Sequence, residues 1–491
     1  MALPNISRLS FKKIMALAAA IATVVAPTIA QAQGISLLRD AEIEAYLEDY
    51  SRPIFKAAGI NPDSFEILIV NDGGMNAFAG GRYMGVNTGM ITFVETPNEL
   101  EGVIAHEAGH IAGGHSARSS DAMAKAGRPM ILGLLLAAGA IAAGAPEVGI
   151  GMLGLGQNIA IADLMKYSRS QESTADQSSI SYLDRIGHSS KGATQIWSRV
   201  RNYQIITGAR INPYLQTHPL ANERLTALEA RAKESPYYDV VDSPEAIHRL
   251  KLIQAKIKGF LHDPATTLRN YPLSDQSEPA HYARAVAYYR YSDVTSALKE
   301  VRTLTAMMPD NPYYHELEGQ ILFEYGRADE AIEPHRKSIE LLPNNALLHI
   351  NLGRALLANG GPTFAKEAEA ELKRATVLEP DNGFAWFELA RAYGEMGNVP
   401  MANLATAESR FQSGAQQDAN QFARRAIKDL KRGSPEWRQA ADIIFATQPA
   451  EGAIPLPDAS DDSPTIPGPV PEQKSDRPDV PDPVIINNAN F

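Results

Sequence analysis

The chain has 491 residues, a formal charge of −11 and no cysteine. That length exceeds one ordinary core and suggests two domains or more. The acidic balance excludes a nucleic-acid footprint, which needs a basic patch, and the absence of cysteine excludes disulfide staples and lipid acylation.

The N-terminus reads as a targeting segment. Arg8, Lys12 and Lys13 form a basic region, Ile14 to Val25 an apolar run, and Ala30-Gln31-Ala32 a small-x-small cleavage site. Residues 1–32 are therefore a signal peptide and the mature chain begins at Gln33. An uncleaved anchor is the alternative, and the run is short for it. Export without cysteine fits the periplasm of a two-membrane bacterium.

Residues from Gln33 to about Ile60 carry apolar side chains at helical spacing. Ile67 to Val70 is a short strand and Asn71-Asp72-Gly73-Gly74 a turn. A small strand-and-turn region containing Asn76, Ala77 and Phe78 follows. The next helix has a marked start: Thr96 as N-cap, Pro97 in the first position and Glu99 completing a capping box. Gly113-Gly114 ends it.

That helix carries His106-Glu107-Ala108-Gly109-His110. Positions i and i+4 lie on one face, so His106 and His110 reach one ion with Glu107 beside it. Zinc suits imidazole and carboxylate ligands in tetrahedral geometry, and a catalytic site needs three protein ligands. A three-histidine site would place its last ligand at position 116, which is Ser116, with His115 one residue off; His115 is read as structural. The third ligand then comes from a second helix, over Leu164 to Ile186, where Glu172 is the best candidate. Asp176, one turn on, suits the outer nitrogen of a ligating imidazole.

Two apolar, Gly/Ala-rich stretches, Ile131 to Ala145 and Val148 to Ala162, lie between these helices. They are buried core helices or an exposed hairpin over 131–162 that touches a membrane or an apolar partner. The sequence does not separate the two. Further on, Tyr214 to Ala232 is a loop, with His218 and Pro219, running into a helix with Arg224.

Beyond about Ser243 helices recur in pairs with repeated punctuation: Pro309-Asp310-Asn311, Pro343-Asn344-Asn345 and Pro380-Asp381-Asn382. Pro309 to Pro343 is the 34-residue tetratricopeptide period; the next spacing is longer, through an insertion around Gly360-Gly361-Pro362. About four units are expected, the terminal ones imperfect. From about Thr447 the chain turns rich in proline and acid, which predicts a disordered tail.

Together, His106-Glu107-x-x-His110, Ser168-Arg169-x-x-Glu172-x-x-x-Asp176 and Thr217-His218-Pro219 with Arg224 resemble the gluzincin family of CAAX-prenyl proteases and HtpX-type zinc peptidases. With the signal peptide and repeats, the chain is most similar to the periplasmic, outer-membrane-assembly branch of that family. The resemblance implies a mainly α fold with a small β-sheet: a zincin-like metallopeptidase domain over 33–242, a tetratricopeptide α-solenoid over 243–446 and a tail over 447–491. It implies one Zn2+ held by His106, His110 and Glu172, with Glu107 as general base. His218 and Arg224 would stabilise the oxyanion, or His218 would cap the zinc at rest. Asn76, Ala77 and Phe78 would offer an edge strand to an extended substrate. The implied activity is an endopeptidase acting on misfolded or stalled outer-membrane proteins, docked by its repeats to the outer-membrane assembly machinery. The alternative is a chaperone or scaffold whose peptidase is normally locked.

Overall fold

The computed structural model describes residues 36–118, 132, 146–207, 218–219, 222–448 and 484–485, leaving aside the side chains of 146–158, 160–166, 207 and 484–485. The expectations for the signal peptide, for all but Leu132 of residues 131–145 and for most of the tail lie outside the described residues.

The first described element is strand β1 (Ser36–Leu38), where the sequence predicts helix. Asp40 decides this. Its carboxylate accepts from the N–H groups of Glu42 and Ile43, both at 3.0 Å, so helix α1 (Ala41–Ala57) starts there and not at Gln33. Leu37 and Leu38 are left to pair antiparallel with Val70 and Ile69 of β2 (Glu66–Val70). Strand β2 runs parallel to β4 (Tyr83–Asn87), which is antiparallel to β3 (Ala77–Gly80). A two-residue strand, β5 (Val484–Ile485), lies parallel to β1, so the sheet order is β3-β4-β2-β1-β5 and β3 is an edge.

Helix α2 (Thr88–Phe93) leads into α3 (Pro97–Ala112), which carries the two motif histidines. Thr96 accepts from the Glu99 N–H at 3.2 Å, and the Glu99 carboxylate reaches back to the Glu95 N–H at 2.6 Å. Helix α4 (Pro146–Arg185) is continuous for 40 residues. The second apolar stretch is therefore the first part of the helix that carries Glu172 and Asp176. Leu132, in the first stretch, is helical and exposed. Among the described residues no helix is long and apolar enough to cross a membrane. Helices α5 (Lys191–Thr207) and α6 (Asn222–Lys233) follow. Leu100, Val103 and Ile104 of α3 share one core with Tyr46 of α1, Leu183 of α4 and Trp197 of α5. Each such buried side chain contributes roughly 1.5–3 kcal/mol.

Helix α7 (Pro244–Leu261) belongs to two cores: Leu250, Ile253 and Ile257 to the first, Leu252 and Ala255 to the second. After the short α8 (Pro264–Asn270) the described chain forms five helix pairs where about four were expected. They are α9–α10 (Glu278–Arg290, Val294–Met307), α11–α12 (Pro312–Glu324, Ala328–Leu341), α13–α14 (Ala346–Asn359, Pro362–Leu378), α15–α16 (Gly383–Glu395, Val399–Gln412) and α17–α18 (Gln416–Asp429, Pro435–Ala446). The repeated punctuation has a mechanism. Asn311, Asn345 and Asn382 each cap the helix that follows, accepting from the N–H groups of Tyr313, Leu347 and Phe384. Small residues let the helices of a pair close: a Cβ at Gly319 would come within 2.6 Å of the His335 ring, and one at Gly353 within 2.6 Å of Leu372. The longer spacing after Pro343 lengthens a helix, since α14 has 17 residues where α12 has 14.

Candidate metal centre

Helices α3 and α4 meet at two small residues. A Cβ on Gly109 would lie 2.9 Å from the Ala175 Cα and 3.0 Å from its carbonyl oxygen. Only a glycine allows that approach, and the approach brings Glu172 and Asp176, on one face of α4, over His106 and His110 on one face of α3.

The donor atoms converge. His106 Nε2 lies 3.1 Å from His110 Nε2 and 3.3 Å from His218 Nδ1. Glu172 carboxylate oxygens lie 3.4 Å from His106 Nε2, 3.4 Å from His110 Nε2 and 3.1 Å from His218 Nδ1. All four side chains are buried, and the four donor atoms lie within 4.8 Å of one another. One ring proton on His106 Nε2 cannot serve three neighbours, so hydrogen bonding alone does not account for this cluster. A cation does. Zinc–imidazole bonds of about 2.0–2.1 Å in a tetrahedron put donor atoms about 3.3 Å apart, which the separations match. The donor set, three imidazoles and a carboxylate, fits such an ion.

Around this centre, Asp176 Oδ1 is 3.1 Å from His106 Nδ1. Arg224 of α6 grips Asp176 with two hydrogen bonds, from Nε at 2.8 Å and Nη2 at 2.9 Å, and reaches Glu172 at 3.1 Å. Trp197 meets the His106 ring edge to face, with centroids 5.4 Å apart. Glu107 is 1% exposed, with Oε1 3.5 Å from His218 Nε2. One imidazole, His218, therefore spans from the ligand cluster to the glutamate.

The electrostatics already favour positive charge here. Burial opposes a charge on His106, but Asp176 and Glu172 outweigh it and push its pKa up to about 10. Burial, with the neighbouring His106, pushes His110 down to about 2. Burial also opposes ionisation of Glu172, yet His106 and His218 hold it well below the usual carboxylate range. Asp176 is held down in the same way by His106 and Arg224. Two buried carboxylates stay ionised around one position.

The structure thus brings together His106, Glu107, His110, Glu172, Asp176, His218 and Arg224. Arg224 faces the two carboxylates and the Pro219 carbonyl, which accepts from its Nη1 at 2.7 Å; the family resemblance implies a contact with an oxyanion. Ala77 and Phe78 open β3, with Asn76 just before it, and are not among the converging donor residues. The outer edge of β3 is touched by Ser116, whose hydroxyl donates to the Ala79 carbonyl at 3.1 Å. Trp197 had no sequence signal. His115, read as structural, lies against His110, with the two Nδ1 atoms 2.8 Å apart.

Residues 38–232 match peptidase family M48. The chain is 25% identical over 407 residues to the β-barrel assembly-enhancing protease of Escherichia coli (strain K12), covering 81% of each chain. It is 23% identical over 411 residues to the protease of the same name from Yersinia pestis, covering 82% of each. It is 30% identical over 183 residues to the metalloprotease YcaL of Escherichia coli (strain K12), covering 36% of this chain and 67% of that one.

Proposed function

The chain belongs to peptidase family M48, and from that premise we propose that this metalloprotease is a periplasmic zinc endopeptidase that removes misfolded or stalled outer-membrane proteins. The observation that carries the reading is the convergence of His106, His110, Glu172 and His218 beside Glu107. The names of the long relatives support the outer-membrane client class and do not favour a chaperone or scaffold whose peptidase is normally locked.

In this reading His106, His110 and Glu172 hold the ion and His218 offers a fourth donor. When bound, the zinc acts as a Lewis acid that acidifies water and polarises a peptide carbonyl. Glu107 takes a proton from the attacking water and delivers it to the departing amine. Asp176 steadies His106, and Arg224 steadies Asp176 and Glu172, so both carboxylates stay charged. Held as the fourth donor, His218 would cap the ion in a resting state. When His218 swings aside, its ring becomes a donor for the oxyanion. The outer edge of β3 receives an extended peptide backbone to backbone, which selects unfolded clients over any one sequence. The repeats dock the enzyme to the assembly machinery.

Glu107→Gln tests the chemistry. Cleavage of an unfolded outer-membrane protein should fall by about 10²–10⁴-fold while the zinc content stays at that of wild type. Undiminished cleavage by the variant, or wild-type protein that holds no zinc, would falsify the reading. His218→Ala removes both roles: cleavage above wild type would show that the cap outweighs the oxyanion contact, and a loss of cleavage with zinc retained would assign His218 to catalysis alone.

A further inference from the structure

His115 has no part in the mechanism above. It follows the helix break at Gly113-Gly114, and its side chain is 6% exposed. Its ring meets that of His110 edge to face, with centroids 4.8 Å apart and the Nδ1 atoms 2.8 Å apart. His110 turns its other nitrogen, Nε2, toward His106 and Glu172. A ring nitrogen that faces a metal ion carries no proton, so the proton of a neutral His110 is on Nδ1 and needs an acceptor. At 2.8 Å the two Nδ1 atoms are at hydrogen-bond distance, so a proton on His110 Nδ1 would have the His115 nitrogen as its acceptor. The site for His115 is built. A Cβ at Gly113 would collide with its Nε2, and Gln171 of α4 donates to its backbone carbonyl at 3.3 Å. Asp176 Oδ1 stands 3.1 Å from the outer nitrogen of His106, at ion-pair distance. Each motif histidine therefore has its outer nitrogen matched, one by a carboxylate and the other by an imidazole.

We propose that His115 is a positioning residue for His110: it accepts the Nδ1 proton and so fixes the tautomer and ring plane that aim Nε2 at the ion. The inference rests on the reading of His110 as a metal ligand. It is tested on the whole holoprotein by competing Zn2+ away with a chromogenic chelator. His115→Phe keeps a ring and removes the acceptor; His115→Asn restores an acceptor oxygen near the Nδ1 position. The Phe variant should lose zinc affinity by about 10- to 100-fold and the Asn variant should recover most of it. Wild-type affinity in the Phe variant, or equal losses in both, overturns the proposal alone. A wild-type chain that takes up no zinc overturns it together with the metal reading. A second measurement needs no variant: in histidine-labelled wild-type holoprotein, nitrogen-15 spectra should show the His115 proton on Nε2 and the His110 proton on Nδ1. A His115 proton on Nδ1 sinks the proposal even if the Phe variant does not fold.

Discussion

Arg224 directs its donors at carboxylates, two at Asp176 and one at Glu172, and all three side chains are nearly buried. Arg224→Ala leaves the two buried carboxylates with His106 as their remaining cation, which should cost about 1–3 kcal/mol in the chelator-treated protein. Arg224→Lys should recover only part, because an ammonium cannot make the paired contact. Urea unfolding checks both, and a loss under ~1 kcal/mol for the Ala variant would show the pair to be incidental. His335, far from this site, gives a pH prediction. It is buried, its Nδ1 has no hydrogen-bond partner, and burial, with Arg354 adding, pushes its pKa down to about 3. Unfolded, the same ring titrates near 6.5, so its neutral form gives full stability above that pH. Stability is then lost as pH falls toward 3, by about 1.4 kcal/mol per unit. Between pH 7 and 5 that is roughly 2 kcal/mol of acid sensitivity, which His335→Leu should abolish; an unchanged pH slope in that variant rules His335 out as the cause.

At the level of helices, the α3–α4 crossing joins stability to the site. Gly109→Ala overfills the contact with Ala175 and should cost about 1–3 kcal/mol. Because Glu172 and Asp176 flank that contact, zinc affinity should fall with it. Chelator competition and thermal unfolding read the two effects, and a stable variant with weakened zinc binding would still fit, whereas unchanged values for both would not. In the repeats, Gly326 and Gly397 take positive φ two residues past the first helix of their pairs, Gly414 does so between the fourth and fifth pairs, and Ser292 takes the same place in α9–α10 at φ 63°. A serine there carries strain that glycine avoids, so Ser292→Gly should stabilise by about 1 kcal/mol. A lower melting temperature for that variant would contradict this.

Across the whole molecule, α7 ties the sheet-bearing part to the repeats through apolar side chains in both cores. Its Lys256 is 3% exposed and contacts Asp40 at 2.8 Å and Glu42 at 3.1 Å, at the start of α1. Arg39 adds an ion pair at 2.9 Å to Glu379, between the third and fourth helix pairs. Lys256→Met strands two buried carboxylates and should cost about 3–5 kcal/mol. Calorimetry should then show the two parts melting separately where wild type melts in one step. A single transition at the wild-type temperature would mean that the apolar contacts of α7 suffice.

By itself, the sequence determined whatever depends on near neighbours along the chain. The spacing of His106 and His110, the Thr96 cap and the Asn caps of the repeats act within one or two turns, so residue order dictates them. Glu172 and Asp176 were legible because a shared helix face follows from a four-residue spacing. Tertiary structure decided what depends on contacts between distant segments. Asp40 and the pairing with β2 turned Ser36–Leu38 into a strand; the fifth helix pair came from packing beneath weak repeat signals; and Arg224 went to the carboxylates because buried charge demands a partner. His115 needed the break at Gly113-Gly114 to fold its ring back onto His110, a geometry that no spacing rule for a continuous helix contains.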